Sequence, residues 1–319
     1  MVEKAELVSK VLVLEEAQDC AARIKAFCDA NSLVGVKAQS GNVMGVLKSN
    51  VDLGAIFLGE SYGGKDGGLK LAREIHDVRP ELPIFLRREG ADDLEGISDQ
   101  DKCLFSQAYA ISNIDKLGPI INETIFSLVY PNALVRGITE ITRTALESQF
   151  KGVDVTTEAP YIVRDRIIYG ELFTLIPLES NWCRGYMMLQ TEEGPLVSCV
   201  ASGQTHITTD SVNFRDINHV LGEVTNLVWG MFKNRFISAE PLEGRASQVP
   251  IIVNHLHRYI SFGSEDPQLC FRYTLTDSSG ISLVLYQRFV FNLSWSPDKF
   301  KENEALVEDL FDSGELELF

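Results

Sequence analysis

Asp216–Phe236, DINHVLGEVTNLVWGMFKNRF, is the stretch whose reading decides the second half of this chain. Its apolar residues Ile217, Val220, Leu221, Val224, Leu227, Val228, Met231 and Phe232 recur at helical spacing and predict one buried stripe. Glu223 and Asn226 fall outside that stripe, one turn apart, and so share an outward face. His219 and Gly230 lie on the same face. A carboxylate beside a carboxamide, with a glycine next to them in place of bulk, makes a small polar platform on which another molecule can dock closely. For Gly230 two readings stay open at this point, close backbone approach and helix packing.

Glu and Asn three residues apart are common on polar helix faces, and the pair alone decides little. The surrounding string says more. GEVTNLVWG resembles the signature helix of the CheC/CheX/FliY family of chemotaxis phosphatases, in which a Glu-x-x-Asn pair sits in a run ending in glycine. The resemblance extends in register over much of residues 131–293.

Composition is that of an ordinary globular protein, 45% apolar and 23% charged, and 319 residues predict two domains. A net charge of −16 argues against nucleic acid or an anionic membrane as partner. The apolar runs are too short to span a bilayer, and charges in MVEKAELVSKV stand where a signal peptide needs an apolar core, so a cytoplasmic location is expected. Cys20, Cys28, Cys103, Cys183, Cys199 and Cys270 form no C-x-x-C pair, which predicts reduced thiols and neither disulfides nor a zinc site.

Residues 9–129 alternate strand and helix: strands at Val11–Leu14, Leu33–Val36, Ala55–Leu58, Leu82–Leu86 and Ala108–Ile111, helices at Ala17–Ala30, Val43–Ser49 and Gly68–Val78. A fifth helix is expected from about Ile114 to Val129, with Pro119 tolerated in its first turns. This predicts an α/β doubly wound, flavodoxin-like domain with a parallel sheet. AIFLGESYGGKDGGLKLAREI, with Asp66-Gly67, resembles the third strand and following helix of a response-regulator receiver domain. Receivers phosphorylate an Asp at the end of that strand, and use an acid pair for Mg²⁺, a Thr or Ser after the fourth strand and a Lys after the fifth. Here the acceptor slot falls on Gly59, followed by Glu60; the hydroxyl slot is Arg87 and the lysine slot Ser112. Of the set only the acid pair, Glu15 and Glu16, remains. The resemblance therefore implies a degenerate receiver that keeps protein contact and has lost phosphorylation.

Pro131-Asn132 starts the second domain with no Gly/Ser-rich tether, which predicts a restricted orientation between the halves. Residues 131–296 are expected to form an α+β domain of CheX-like order, with long helices on an antiparallel sheet. Its helices are 133–150 and Asp216–Phe236, and its strands lie near Tyr161–Val163, Ile167–Thr174, Gly185–Leu189, Pro250–Val253, Cys270–Leu275 and Ser282–Asn292. Gly194–Ser202 is apolar and of open type. Larger family members carry a second Glu-x-x-Asn in the first helix; here Glu140-Ile-Thr-Arg143 and Glu147-Ser-Gln-Phe150 lack the asparagine, so one site per chain is expected. Residues 297–319 end in an acidic, apolar-interleaved tail that reads as a solvated end or as an amphipathic helix. His255 and His257 share a strand face but lack a third ligand, and a metal site is not expected.

The resemblance implies a phosphatase for the aspartyl-phosphate of a separate, phosphorylated CheY-type response regulator. Asn226 would orient the attacking water and Glu223 would bind the partner's lysine, with His219 and Gly230 in the docking face. The Mg²⁺ would be the partner's, and this chain would need no cofactor. The alternative is a non-enzymatic receiver-binding or flagellar-switch-like scaffold. A receiver-like first half that covers the Glu223/Asn226 face would gate it, and a homodimer fits the family.

Overall fold

A computed structural model describes residues 5–38, 41–49, 52–164, 169–207, 209, 211–237, 251–254, 267–280 and 282–302. In the first half the elements are β1 (Ser9–Leu14), α1 (Gln18–Ala30), β2 (Leu33–Lys37), α2 (Val43–Ser49), β3 (Leu53–Gly59), α3 (Gly67–Val78), β4 (Ile84–Arg88), α4 (Asp99–Lys102), β5 (Gln107–Ala110), a 3-10 segment (Ile111–Lys116) and α5 (Leu117–Thr124). The five strands pair in parallel in the order β2-β1-β3-β4-β5, a doubly wound arrangement common to many domains. Every residue of the central strand β3 is buried, as expected where helices cover both faces. Val11, Val13 and Phe57 pack on one face against Ile24 and Phe27 of α1 and Ile121 of α5. Leu12, Leu14, Ile56 and Leu58 pack on the other against Leu47 of α2 and Ile75 of α3. The period-two alternation of β1 and β3 thus feeds two layers of helix.

The second half contains α6 (Asn132–Gln149), β6 (Val153–Thr157), β7 (Tyr161–Val163), β8 (Leu172–Glu179), β9 (Cys183–Thr191), α7 (Glu193–Ala201), α8 (Phe214–Phe236), β10 (Ile251–Asn254), β11 (Gln268–Asp277) and β12 (Ser282–Trp295). Its strands form an antiparallel sheet in the order β10-β8-β9-β12-β11-β6, with β7 also paired to β11. Helices α6, α7 and α8 pack on this sheet and on one another. At Gly137 the α6–α8 crossing is tight: a Cβ there would meet the Phe236 ring at 2.4 Å and the Arg235 guanidinium at 2.9 Å.

The halves meet at β7. Val8, just before β1, bridges to Tyr161; Ser9 Oγ donates to the Ile162 carbonyl at 2.8 Å; the Arg164 N–H donates to the Leu53 carbonyl at 3.3 Å. Lys10 lies 2.5 Å from Asp52 and 3.6 Å from Glu158. Trp295 Nε1 donates to the Val129 carbonyl at 3.2 Å, and its ring packs on Tyr130. One hydrophobic core runs through the seam from Phe57 and Ile121 to Leu134 and Phe289, in keeping with the tether-free link.

Several expectations are corrected. The fifth helix ends at Thr124, not near Val129, and begins as a 3-10 segment that Asn113 breaks with φ −115° and ψ 17°. Of the strand placed at Ile167–Thr174, residues 167 and 168 lie outside the described residues and the rest is shifted to Leu172–Glu179; the strand placed at Leu82–Leu86 starts only at Ile84, after Pro83, and β6 was not foreseen. Gly194–Ala201 of the apolar stretch falls within a helix, α7, and Ser202 is its C-cap. His255, His257 and the tail from residue 303 lie outside the described residues. Among the described residues no helix is long and apolar enough to cross a membrane.

All six cysteines are free. Burial pushes the thiols of Cys28 and Cys183 up to about 12 and that of Cys199 up to about 11. In native protein at neutral pH, a thiol reagent is expected to label exposed Cys103 first and half-buried Cys20 more slowly. Cys28, Cys183, Cys199 and Cys270 should react only after unfolding; mass mapping of the labelled sites checks this, and fast native labelling of Cys28 would contradict the packing.

Candidate functional site

Helix α8 is held at three points that fix both its position and its rotation. At its start Asn213 and Asp216 form a capping box: the Asn213 side chain accepts from the backbone of the first turn, and Asp216 accepts from the Asn213 N–H at 2.8 Å. At its end Trp182 Nε1 donates 2.9 Å to the Phe236 carbonyl, satisfying a group the helix cannot satisfy itself. Phe232 anchors the same end between Trp182, Phe236 and Phe289, with ring centroids 5.2–6.3 Å apart.

The middle is set by Thr225. Its hydroxyl is fully buried, lies 2.6 Å from the Thr174 hydroxyl of β8, and donates to the Leu221 carbonyl at 2.8 Å. Thr225 sits between Glu223 and Asn226, so pinning it inward turns those two outward. Thr225→Val is expected to leave the buried Thr174 hydroxyl without that partner and to cost about 1–3 kcal/mol. A denaturant midpoint shift at constant slope would show it; an unchanged midpoint would contradict it.

The predicted stripe is buried at Ile217, Val220, Leu221, Val224, Val228 and Phe232, while Leu227 and Met231 are only half-buried. Opposite them stands the predicted platform. Asn226 is exposed, and its carboxamide makes no hydrogen bond among the described residues. The Glu223 side chain is 34% exposed, and its one ion-pair neighbour among the described residues is His219, whose Nδ1 lies 4.0 Å away. Gly230 is half-buried, yet a Cβ there would meet nothing within 4 Å. Helix packing therefore does not account for this glycine, and the close-approach reading keeps its physical basis. The four residues singled out from sequence lie on one face.

The carboxylates of α6 are situated differently. Glu140 pairs with Arg235 at 2.7 Å and Arg136 at 3.6 Å, and Glu147 with Arg143 at 2.7 Å. They are committed internally, whereas Glu223 has no lysine or arginine partner among the described residues. With Asn226 beside it, Glu223 can accept a hydrogen bond from a foreign cation while the carboxamide both donates to and accepts from a foreign water.

In the first half, the structure brings Glu15, Gly59 and Arg87 together at the C-terminal ends of β1, β3 and β4. Arg87 donates through Nε to Glu15 in an ion pair whose side chains are 6% and 3% exposed. Desolvation opposes the Arg87 charge, but the hydrogen bond and charge of Glu15 outweigh it and hold the guanidinium above its usual range. A Cβ on Gly59 would meet Glu15 Oε2 at 2.8 Å. This corrects one expectation: Glu15 and Glu16 do not stand as a matched acid pair, since Glu15 is bound to Arg87 and Glu16 accepts from the Gly63 N–H at 3.3 Å. Glu60 turns to Arg88 and the Glu89 N–H, both at 3.2 Å. Ser112 is exposed in the 3-10 segment, and a turn later Lys116 is held by Asp92 at 3.0 Å. Among the described residues no cluster of three or more His, Cys, Asp or Glu is placed to hold a metal ion. The Glu15–Arg87 pair and the Thr174–Thr225 bond were missed as contacts in sequence, although Glu15 and Arg87 were each named.

No family model matches the chain, and no curated protein does. Among solved structures it is similar to a CheC-like superfamily protein from Shewanella sp. PV-4, at 16% identity over 50% of this chain and 99% of the other, with a TM-score of 0.37. Chemotaxis protein CheX from Vibrio vulnificus matches at 20% identity over 49% and 99%, with a TM-score of 0.36. A CheX–CheY–BeF3–Mg²⁺ complex from Borrelia burgdorferi matches at 11% identity over 49% and 97%, with a TM-score of 0.34.

Proposed function

We propose that this protein hydrolyses the aspartyl-phosphate of a separate response-regulator receiver, with Glu223 and Asn226 as the acting pair. One observation carries the reading: an outward carboxylate and carboxamide, one turn apart, without a Lys or Arg partner among the described residues and with open space at Gly230. An acyl phosphate is already activated, and its hydrolysis is limited by placing water in line with phosphorus, so positioning supplies most of the catalysis. Asn226 enters the partner's pocket and holds the water through its carboxamide. The water oxygen bonds to phosphorus, the phosphorus–carboxylate oxygen bond breaks, the partner's aspartate leaves as carboxylate, and both water protons leave with the phosphate as dihydrogen phosphate, which then equilibrates with solvent. Glu223 accepts a charge-assisted hydrogen bond from the partner's lysine and fixes the docking angle. The Mg²⁺ belongs to the partner.

In the same reading the first half is a receiver-like module that cannot itself be phosphorylated. Gly59 offers no acceptor, and the neighbouring Glu15 carboxylate is taken up by Arg87. Its part is docking or orientation. Asn226 is exposed with this half in place, so a gate that covers the platform is not the arrangement described.

A receiver labelled from radioactive acetyl phosphate tests the chemistry. Label should pass from the receiver to inorganic phosphate faster in the presence of this chain, and never to the chain itself. Label trapped on this protein would replace water attack by a phosphoenzyme; binding without faster release would favour the non-enzymatic scaffold.

A further inference from the structure

The chain carries a net charge of −16, yet it is asked to dock on a pocket built from carboxylates and a phosphoryl group. Glu223 adds to that mismatch everywhere except at the partner's lysine. The outward face of α8 holds a local answer. Lys233 lies seven residues beyond Asn226, two turns less about 20°, and about 10 Å further along the axis. Arg215 lies eleven residues before Asn226 on the same line, about 16 Å the other way. Both are exposed, and neither makes an ion pair among the described residues. The Arg215 guanidinium stands over the neighbouring Phe214 ring, 5.9 Å from its centroid.

Apart from Glu223, the remaining Asp, Glu and Arg side chains of α6 and α8 are occupied among the described residues. Asp216 is used in the capping box. Glu140 and Glu147 on α6 are paired with Arg136, Arg235 and Arg143. Arg215 and Lys233 are thus cations without an ion pair among the described residues, at the two ends of a line about 27 Å long that passes through Asn226.

We propose that Arg215 and Lys233 are the electrostatic ends of the docking track, reaching acidic groups on the rim of the partner's phosphorylated pocket. This deepens the reading of Glu223 and Asn226 and rests on it. The pair sets association rate and affinity, and the turnover of bound receiver is left to Asn226. Lys233 also lies in the last turn of α8, where a cation favours the helix dipole. That role affects stability and not receiver affinity, so the two are separable.

The probe is an intact CheY-type receiver held in its active form by beryllofluoride, titrated into the full chain at low and at high ionic strength. Lys233→Glu should weaken binding about tenfold at low salt, chiefly through slower association, and the gap should close to within about twofold at 0.5 M salt. Lys233→Arg should bind like the wild type, and kcat on the phosphorylated receiver should be unchanged in both. Arg215→Glu should show the same salt-dependent pattern. Wild-type binding with equal low-salt affinity for Lys233→Glu would overturn this inference and leave the Glu223/Asn226 reading intact. A wild-type protein that binds no receiver would overturn both.

Discussion

Asn226→Ala should bring dephosphorylation of a bound receiver down by roughly 10²-fold, toward the receiver's own decay, while binding changes little. The carboxamide is exposed and makes no hydrogen bond among the described residues, so its removal leaves no buried group unsatisfied and gives no reason for α8 to move. What is lost is the orientation of one water at the moment of attack, an interaction realised only in the transition state, and the loss therefore falls on kcat. Glu223→Gln should behave differently. It keeps the shape but gives up the charge-assisted hydrogen bond to the partner's lysine, so KM rises together with a smaller fall in kcat. The comparison is made by single-turnover decay at saturating and subsaturating protein, with thermal midpoints recorded for each variant. Equal loss of binding in both variants would contradict the division of labour.

Arg87→Ala should destabilise the first half by about 3–5 kcal/mol, because it strands the Glu15 carboxylate in a site only 3% exposed. Glu15→Ala should cost a similar amount from the other side. The double variant Glu15→Leu/Arg87→Met should recover most of the loss, since a buried ion pair is replaced by apolar groups of similar volume. Denaturant unfolding measures all three. Because the core runs through the seam at β7, the destabilisation should appear in one transition that also reports on the second half. A double variant as unstable as the single ones would mean that the pair is not the main contact at that position.

The legible parts of the chain were those whose cause is local. The α8 stripe shows because six of its eight apolar positions are buried at a period that only a helix produces. The parallel strands show because β3 is an unbroken apolar run bounded by turn residues. Strand β8 runs on through Pro177, a residue that has no N–H to give to a ladder. Among the described residues β10 pairs as far as Leu175, and the partner of Pro177 is Tyr186 of β9. The nine residues of α7 are too short and too apolar for periodicity to separate helix from strand.

Site residues divide in the same way. Glu223, Asn226, His219 and Gly230 were legible as a face because helical phase is a property of sequence alone. That Gly230 faces open space is not, since it depends on what the other elements leave uncovered. Glu15 and Arg87 are 72 residues apart, and strand-end positions brought both to notice, but their contact follows only from the order β1-β3-β4 in the sheet. Thr225 carried a signal that was passed over: a hydroxyl on the buried side of an apolar stripe must find a partner, and Thr174 of the adjacent strand supplies it.

The most direct test of the phosphatase reading is the decay of a phosphorylated CheY-type receiver at increasing concentrations of the full-length wild-type chain. The expected result is an acceleration that rises with concentration and saturates, as binding through Glu223 precedes water attack positioned by Asn226. Decay that stays at the receiver's own rate at every concentration, across a broad panel of receivers, would contradict it.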